Sequence, residues 1–287
     1  MLNKLHTFVF GLICSLSIIS HLNAEITEIA EIKSVKNSIK DNSLVFLNVG
    51  DTLFSPSSML ADNQWREYFV ERTNQLISEP VAAQRVIDKV KGLIVEKVPK
   101  VTPEEATPEF IAQLQNEEIP VYGYTQRNFS TSYAKNNGFI TSNHLLKMGI
   151  DLNKSLSYDS IQEYHNASHD FQYGILFSNK NLPGPAIVEF ITSRGENPSI
   201  VIVVDDSLKT LEEIGSALAT AGIDYQGLRY GRIDSRKNAF DPQIGTIQFF
   251  AFINENRLLT DSEAMQIRDE NPETDYQAEL YSWILNY

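Results

Sequence analysis

Three short stretches of the chain are apolar at nearly every position and close in polar turns: Leu44-Val-Phe-Leu47, Ile119-Pro-Val-Tyr-Gly-Tyr124 and Ser199-Ile-Val-Ile-Val-Val204. A half-exposed strand alternates, so an uninterrupted run predicts a strand covered on both faces, as in a parallel sheet. Ile244-Gly-Thr-Ile-Gln-Phe-Phe250 reads as another buried strand on the same grounds. Between the runs the apolar period becomes that of a helix. Thr107–Asn116 offers Thr107 as a cap and Pro108 at the first helical position, and the pattern from Leu208 stops at Gly222. Helix and strand patterns in alternation predict an α/β fold built on a doubly wound, Rossmann-like parallel sheet.

Residues 57–101 interrupt that alternation with two amphipathic helical patterns, Asn63–Ile77 and Pro80–Lys91. They read as a helical cap inserted after the first strand, which leaves 25–56 and 102–287 as the α/β core. Ligands of such folds sit beyond the carboxyl ends of the strands, and an insertion leaving there would roof the site.

The first 24 residues have another character. Lys4 supplies a basic start, Phe8–Ile19 is apolar throughout, and the segment ends in the small residue Ala24. That order is the pattern of a secretory signal peptide. The apolar run is shorter than the roughly 20 residues of a spanning helix, so no stable membrane anchor is expected after cleavage. The expected destination is a periplasm or the exterior. Cys14, the one cysteine, lies inside this segment, so the remainder has no disulfide and no thiolate ligand or nucleophile. The chain carries 24 Lys and Arg against 37 Asp and Glu. Without Lys4, the only charged residue of 1–24, the net charge falls from −13 to −14. With no compensating basic run, a nucleic-acid partner is not expected, and a phosphate ligand needs a locally positive pocket.

Four segments carry candidate chemistry. The first strand leads into Asn48-Val-Gly50-Asp51-Thr52-Leu-Phe54; the second ends in Tyr124-Thr125-Gln-Arg127; Lys180 opens the helical stretch Asn181–Phe190; and the last run ends in Asp205-Asp206-Ser207. In order and spacing they resemble the four motifs of the haloacid dehalogenase superfamily of phosphohydrolases. Gly174-Ile-Leu-Phe177, the paired acids and Leu258–Ala264 look closest to a subgroup of exported bacterial proteins of unknown function (DUF2608-type). In active members of the superfamily one aspartate forms an aspartyl-phosphate, and another, two residues on, is the general acid and base. Mg²⁺ bridges the nucleophile, a backbone carbonyl and a late acid. A threonine hydroxyl and a lysine ammonium hold the phosphoryl oxygens. The resemblance therefore implies Thr125 and Lys180 as phosphate ligands, and Asn48, the Gly50 carbonyl and Asp205 as a weakened Mg²⁺ site, with Asp51 and Asp206 beside them.

The first motif departs from that pattern. Asn48 stands at the nucleophile and Gly50 at the general acid. Moving the register to Asp51 puts Val49 or Leu53 in the other role. Losing a covalent nucleophile costs roughly 10⁴ to 10⁶ in turnover, or about 5–8 kcal/mol of barrier. The expectation is a phosphohydrolase-fold protein impaired in catalysis that binds a phosphorylated small molecule or a protein partner. The alternatives are an active Mg²⁺-dependent phosphatase using Asp51, Asp205 or Asp206, and a secreted factor acting through its acidic surface and helical insertion.

Other signals carry less. His165 and His169 lie four apart with Asp170 and His144 elsewhere, which fits a solvated helix face better than a metal site with no third ligand at fixed spacing. Asn128-Phe-Ser130 and Asn166-Ala-Ser168 match the glycosylation sequon, which recurs by chance. Trp65, Tyr68 and Phe69 at helical spacing read as core.

Overall fold

The computed structural model describes residues 25–132, 134–155, 164–165 and 169–287. The expected signal segment with Cys14, and the sequon at Asn166, lie outside the described residues.

The strands are β1 (Glu25–Ile29), β2 (Ser43–Asn48), β3 (Ser55–Pro56), β4 (Lys100–Val101), β5 (Val121–Thr125), β6 (Tyr164–His165), β7 (Asp170–Gln172), β8 (Ile175–Phe177), β9 (Ile200–Asp205) and β10 (Tyr225–Tyr230). The α-helices are α1 (Asn63–Leu76), α2 (Pro80–Lys97), α3 (Thr107–Asn116), α4 (Asn137–Lys147), α5 (Pro183–Ser193), α6 (Leu208–Thr220), α7 (Asp234–Asn238), α8 (Pro242–Glu255), α9 (Asp261–Glu270) and α10 (Tyr276–Asn286). The chain is α/β. Its central sheet runs β1-β10-β9-β2-β5-β8-β7-β6. The strands from β1 to β8 in that order are all parallel, and β7 and β6 add an antiparallel edge.

The uninterrupted apolar runs form the middle of this sheet because both faces are covered. On β2, Leu44 and Phe46 enter one apolar layer, and Val45 and Leu47 the other; on β9, Val201 and Val203 alternate with Ile200, Ile202 and Val204 in the same way. One layer is closed by Phe110, Ile111 and Leu114 of α3 and Leu145 of α4. The opposite layer is closed by Ile187, Phe190 and Ile191 of α5 and Leu211, Ile214 and Leu218 of α6. Each such fully buried side chain contributes about 1.5–3 kcal/mol.

Residues 57–99 leave the sheet and return to it through one clasp. β3 and β4 pair antiparallel, with Ser55 opposite Val101 and Pro56 opposite Lys100, and the Ser57 amide donates to the Pro99 carbonyl at 3.1 Å. Beyond the clasp, α1 and α2 share an apolar cluster with α8 and α10, in which Trp65, Phe69, Val90, Phe249, Leu280 and Ile284 are buried. Trp65 stacks on Phe69 at 5.3 Å between ring centres and meets Phe249 at 5.4 Å. Gly245 makes that approach possible: a Cβ there would lie 2.2 Å from the Trp65 ring.

Three sequence expectations need correction. Ile244–Phe250 is not a strand but the body of α8. Asp241 caps it through the Gln243 amide, Pro242 occupies the first turn, and the helix is buried nearly all round, which removes the polar stripe that would mark it. Thr107 does not cap α3; it is the first helical residue, and Ala106 precedes it without a side-chain bond. His169 is not on a helix face: it is buried at the start of the β7 edge, with Nδ1 3.7 Å from Glu189.

Candidate functional site

Asn48, Tyr124 and Asp205 lie level at the carboxyl ends of three neighbouring strands. In the β2–β5 pairing Asn48 is opposite Tyr124, and in the β2–β9 pairing Leu47 is opposite Val204, one residue before Asp205. Thr125 ends β5, and its hydroxyl accepts the Arg127 amide at 3.3 Å. Lys180 reaches the same edge by a tight turn after β8. Asn179 and Lys180 both have left-handed backbone, φ 50° and 66°, and the Lys180 amide donates to the Gln126 carbonyl at 2.8 Å. Left-handed backbone at two successive non-glycine residues is uncommon and strained, so the turn is held by its surroundings. The Asn179 side chain provides that hold by accepting the Phe129 amide at 2.9 Å and donating to Asp170.

The structure brings Asn48, Gly50, Asp51, Thr125, Lys180, Asp205 and Asp206 together around one cavity of about 680 Å³. Thr52 does not join them: it is fully buried, and its hydroxyl has no hydrogen-bond partner among the described residues. Asp51 has φ 63° and holds the turn by donating its amide to Phe54 at 2.7 Å. Gly50 is not crowded. A Cβ there would have only Arg127 Nη2 within 4.0 Å.

The acids of the site are occupied by protein donors. Asp205 accepts the Tyr124 hydroxyl on Oδ2 and the Ser207 amide on Oδ1 at 2.7 Å. Burial and the neighbouring Asp206 charge push the Asp205 carboxyl up to about 7, and the Tyr124 hydroxyl is pushed up as well, chiefly by burial. Asp206 accepts the Asn48 side-chain amide on Oδ1 at 3.0 Å and the Lys237 ammonium on Oδ2. Lys237 also lies 3.1 Å from Asp51. Burial works against this ammonium, but Asp51 and Asp206 together raise its pKa above the usual lysine value. The Lys237 ammonium thus spans Asp51 and Asp206. No group of three or more His, Cys, Asp or Glu among the described residues is placed to hold a metal ion. The donors that the motif resemblance implies for Mg²⁺, Asn48, Gly50 and Asp205, line the cavity beside this Lys237-bridged pair of acids.

The other wall comes from α1 and α2. Asn63 and Arg66 of α1 and Gln84, Asp88 and Lys91 of α2 face the strand ends across the cavity. Arg66 and Lys91 of this wall, with Arg127 and Lys180 from the strand-end side, bring four cations to the cavity in a chain whose net charge is −13. Lys91 and Lys180 form no ion pair within 4.0 Å among the described residues, and burial followed by Arg66 lowers the Lys91 pKa. Sequence reasoning missed Arg66, Lys91 and Lys237. The first two lie within helical patterns whose rotation toward the site local spacing does not fix, and Lys237 sits on a short helix outside every motif.

Comparison with known proteins adds a family. The family described as "Protein of unknown function (DUF2608)" matches residues 25–265, which include every strand of the sheet and every residue of the cavity. An uncharacterized protein of Rickettsia prowazekii (strain Madrid E) is 21% identical over 239 residues, 82% of this chain and 86% of that protein. A protein of Chlamydia trachomatis serovar D described as "Putative outer membrane protein" is 23% identical over 248 residues, 84% of this chain and 90% of that protein. No solved structure matches. No helix among the described residues is long and apolar enough to cross a membrane.

Proposed function

We propose that this chain, which belongs to the DUF2608 family, is an exported binding protein of the haloacid dehalogenase type that holds a phosphorylated small molecule and does not turn it over. The observation that carries the reading is the cavity itself. Thr125 and Lys180, the two phosphate-holding positions of the motif pattern, line it together with Arg66, Lys91 and Arg127, while Asn48 and Gly50 stand where the nucleophile and the general acid belong. The phosphate group sits at the ends of β2 and β5, with the Thr125 hydroxyl and the Lys180 ammonium as donors. The segment 57–101 acts as the cap that covers it. No attack on phosphorus follows, because an amide is a poor nucleophile and Gly50 has no proton to deliver.

The same arrangement dispenses with a divalent cation. In an active site of this type a metal offsets the like charges of the acids and the phosphate. Here the Lys237 ammonium lies against Asp51 and Asp206, and the neutral Asn48 removes one charge that would need offsetting. Export rests on the signal-like first 24 residues and agrees with the outer-membrane description of the chlamydial relative.

The test is thermal denaturation with inorganic phosphate. At ~100 times its dissociation constant, a ligand that binds only the folded protein adds about 2.7 kcal/mol. Phosphate is expected to raise the melting temperature, and Lys180→Ala and Thr125→Ala to abolish the rise. No shift up to high phosphate, in Mg²⁺ or without it, contradicts the reading.

A further inference from the structure

The cavity of about 680 Å³ is far larger than a phosphate group at Thr125 and Lys180 requires, so most of it is left for the rest of a ligand. That space is walled largely by uncharged polar side chains. Asn63 comes from α1, Gln84 from α2, Asn128 and Ser132 from the loop after β5, and Asn137 from α4, with the carboxylate of Asp88 on α2 among them. Arg66 and Lys91 stand on the same wall and are engaged within it. The Arg66 guanidinium donates to the Asn63 side chain, and Asp88 attracts the Lys91 ammonium.

Two hydrogen-bonded groups fix this wall. Asp88 accepts the Gln84 side-chain amide on Oδ1 at 2.6 Å and the Ser132 hydroxyl on Oδ2 at 2.5 Å, which ties α2 to the loop after β5 across 44 residues of chain. The Asn137 side-chain amide donates to the Asn128 backbone carbonyl at 2.6 Å. Each of these bonds uses the N–H side of an amide and leaves its oxygen as an acceptor, Oε1 of Gln84 and Oδ1 of Asn137. Asn128 Oδ1 is buried with no hydrogen-bond partner among the described residues. A buried acceptor without a donor is costly, so this oxygen calls for an N–H or O–H. Side-chain amides and hydroxyls each offer a donor and an acceptor, and a carboxylate accepts at several positions. The matching ligand surface has donors and acceptors in close alternation, which is what hydroxyls on adjacent carbons supply. A hydrocarbon body would bury these polar groups unpaired, and a second anionic group would be set against Asp88.

We infer that the ligand is a phosphorylated polyol, a sugar or sugar alcohol whose single phosphate lies at Thr125 and Lys180 and whose hydroxyls lie against Gln84, Asp88, Asn128 and Asn137. The inference rests on the phosphate reading of the cavity and adds what the space beyond the phosphate selects. Neighbouring hydroxyls donate to the Asp88 carboxylate and to the open amide oxygens, and accept from the side-chain amides. Because Asp88 and Ser132 already join α2 to the loop after β5, hydroxyls placed there contact both sides of the cavity at once. A site built to hydrogen-bond hydroxyls rejects an analogue that lacks them, since its own polar groups are then left unpaired.

The experiment is calorimetric titration of the native chain with inorganic phosphate, glucose 6-phosphate, glucitol 6-phosphate, hexyl phosphate and adenosine monophosphate. At least one of the two polyol phosphates is expected to bind about tenfold or more tighter than inorganic phosphate, and hexyl phosphate, with the same carbon count and no hydroxyls, to gain little. Gln84→Leu and Asp88→Ala are expected to bring the ratio of polyol phosphate to inorganic phosphate affinity down toward one. Gln84 is exposed, so its replacement removes no core contact, and the probe series on native protein needs no variant at all. If inorganic phosphate binds and depends on Lys180 but neither polyol phosphate gains, the polyol assignment is overturned and the phosphate site stands. If hexyl phosphate or adenosine monophosphate gains as much as the polyol phosphates, or the two variants leave the ratio unchanged, the polyol assignment is again overturned. If no probe binds, both readings are overturned.

Discussion

The side-chain amide of Asn48 donates to Oδ1 of Asp206 at 3.0 Å, joining residues 158 apart in sequence at the edge where β2 and β9 end. An aspartate in that place would meet Asp206 as a like charge at hydrogen-bond distance. The pocket is therefore fitted to an asparagine rather than merely lacking an acid. Lys237 completes the arrangement from the other side by neutralising Asp206 and Asp51 together.

Asn48→Asp is expected to lose this bond and set two carboxylates against each other, lowering stability by about 1–3 kcal/mol. Urea denaturation at neutral pH measures it. Mg²⁺ should recover part of the loss in the variant and change the native chain little. Equal Mg²⁺ responses in the two proteins would count against the fitted-pocket account.

Lys237→Met should leave Asp51 and Asp206 without their cation. Because the folded ammonium has a raised pKa, its stabilising contribution is present below the unfolded value of 10.5 and is lost only as pH rises through the higher folded value. The variant is therefore expected to be less stable than native at every pH from neutral up to about 10. A variant as stable as native at pH 7 would show that the cluster is not held by Lys237.

Lys100 has the opposite sign. Its folded value of about 7 lies below the unfolded 10.5, so between these values the unfolded chain binds more protons and stability rises with pH. Below about 7 the full cost of the buried cation remains. Lys100→Gln should remove this rise and lift the melting temperature at pH 7, by about 2–4 °C for each kcal/mol recovered. Parallel stability profiles for the two proteins would contradict the assignment.

Trp65→Ala should cost about 3–5 kcal/mol, because the indole fills the contact between α1 and α8 with Phe69 and Phe249 around it. Since Arg66 follows it on α1, phosphate affinity should also fall. Loss of stability with unchanged affinity would separate the helical layer from the ligand site.

The sheet was legible where burial left an unambiguous trace. The runs at Leu44, Ile119 and Ser199 became β2, β5 and β9 because covering both faces of a strand requires continuous apolar sequence. Ile244–Phe250 carries the same trace inside a helix, and only Asp241-Pro242 just before it marks a helix start. The residues carrying the expected chemistry were legible because each follows a strand end, and the sheet brings Asn48, Thr125, Lys180 and Asp206 to one edge. The cations that set the charge of the cavity were not. Arg66 and Lys91 belong to α1 and α2, Lys100 to β4 and Lys237 to α7. Their convergence depends on how helices pack, which no local spacing states.

The central claim is a phosphate pocket without turnover, and hydrolysis of p-nitrophenyl phosphate by the native chain, with and without Mg²⁺, tests it most directly. The account predicts no release above background under either condition, and release by the Asn48→Asp, Gly50→Asp double variant with Mg²⁺, since position 50 has room for the added side chain. Mg²⁺-dependent release by the native chain that Asp51→Asn or Asp205→Asn abolishes would contradict it and make one of those acids the nucleophile.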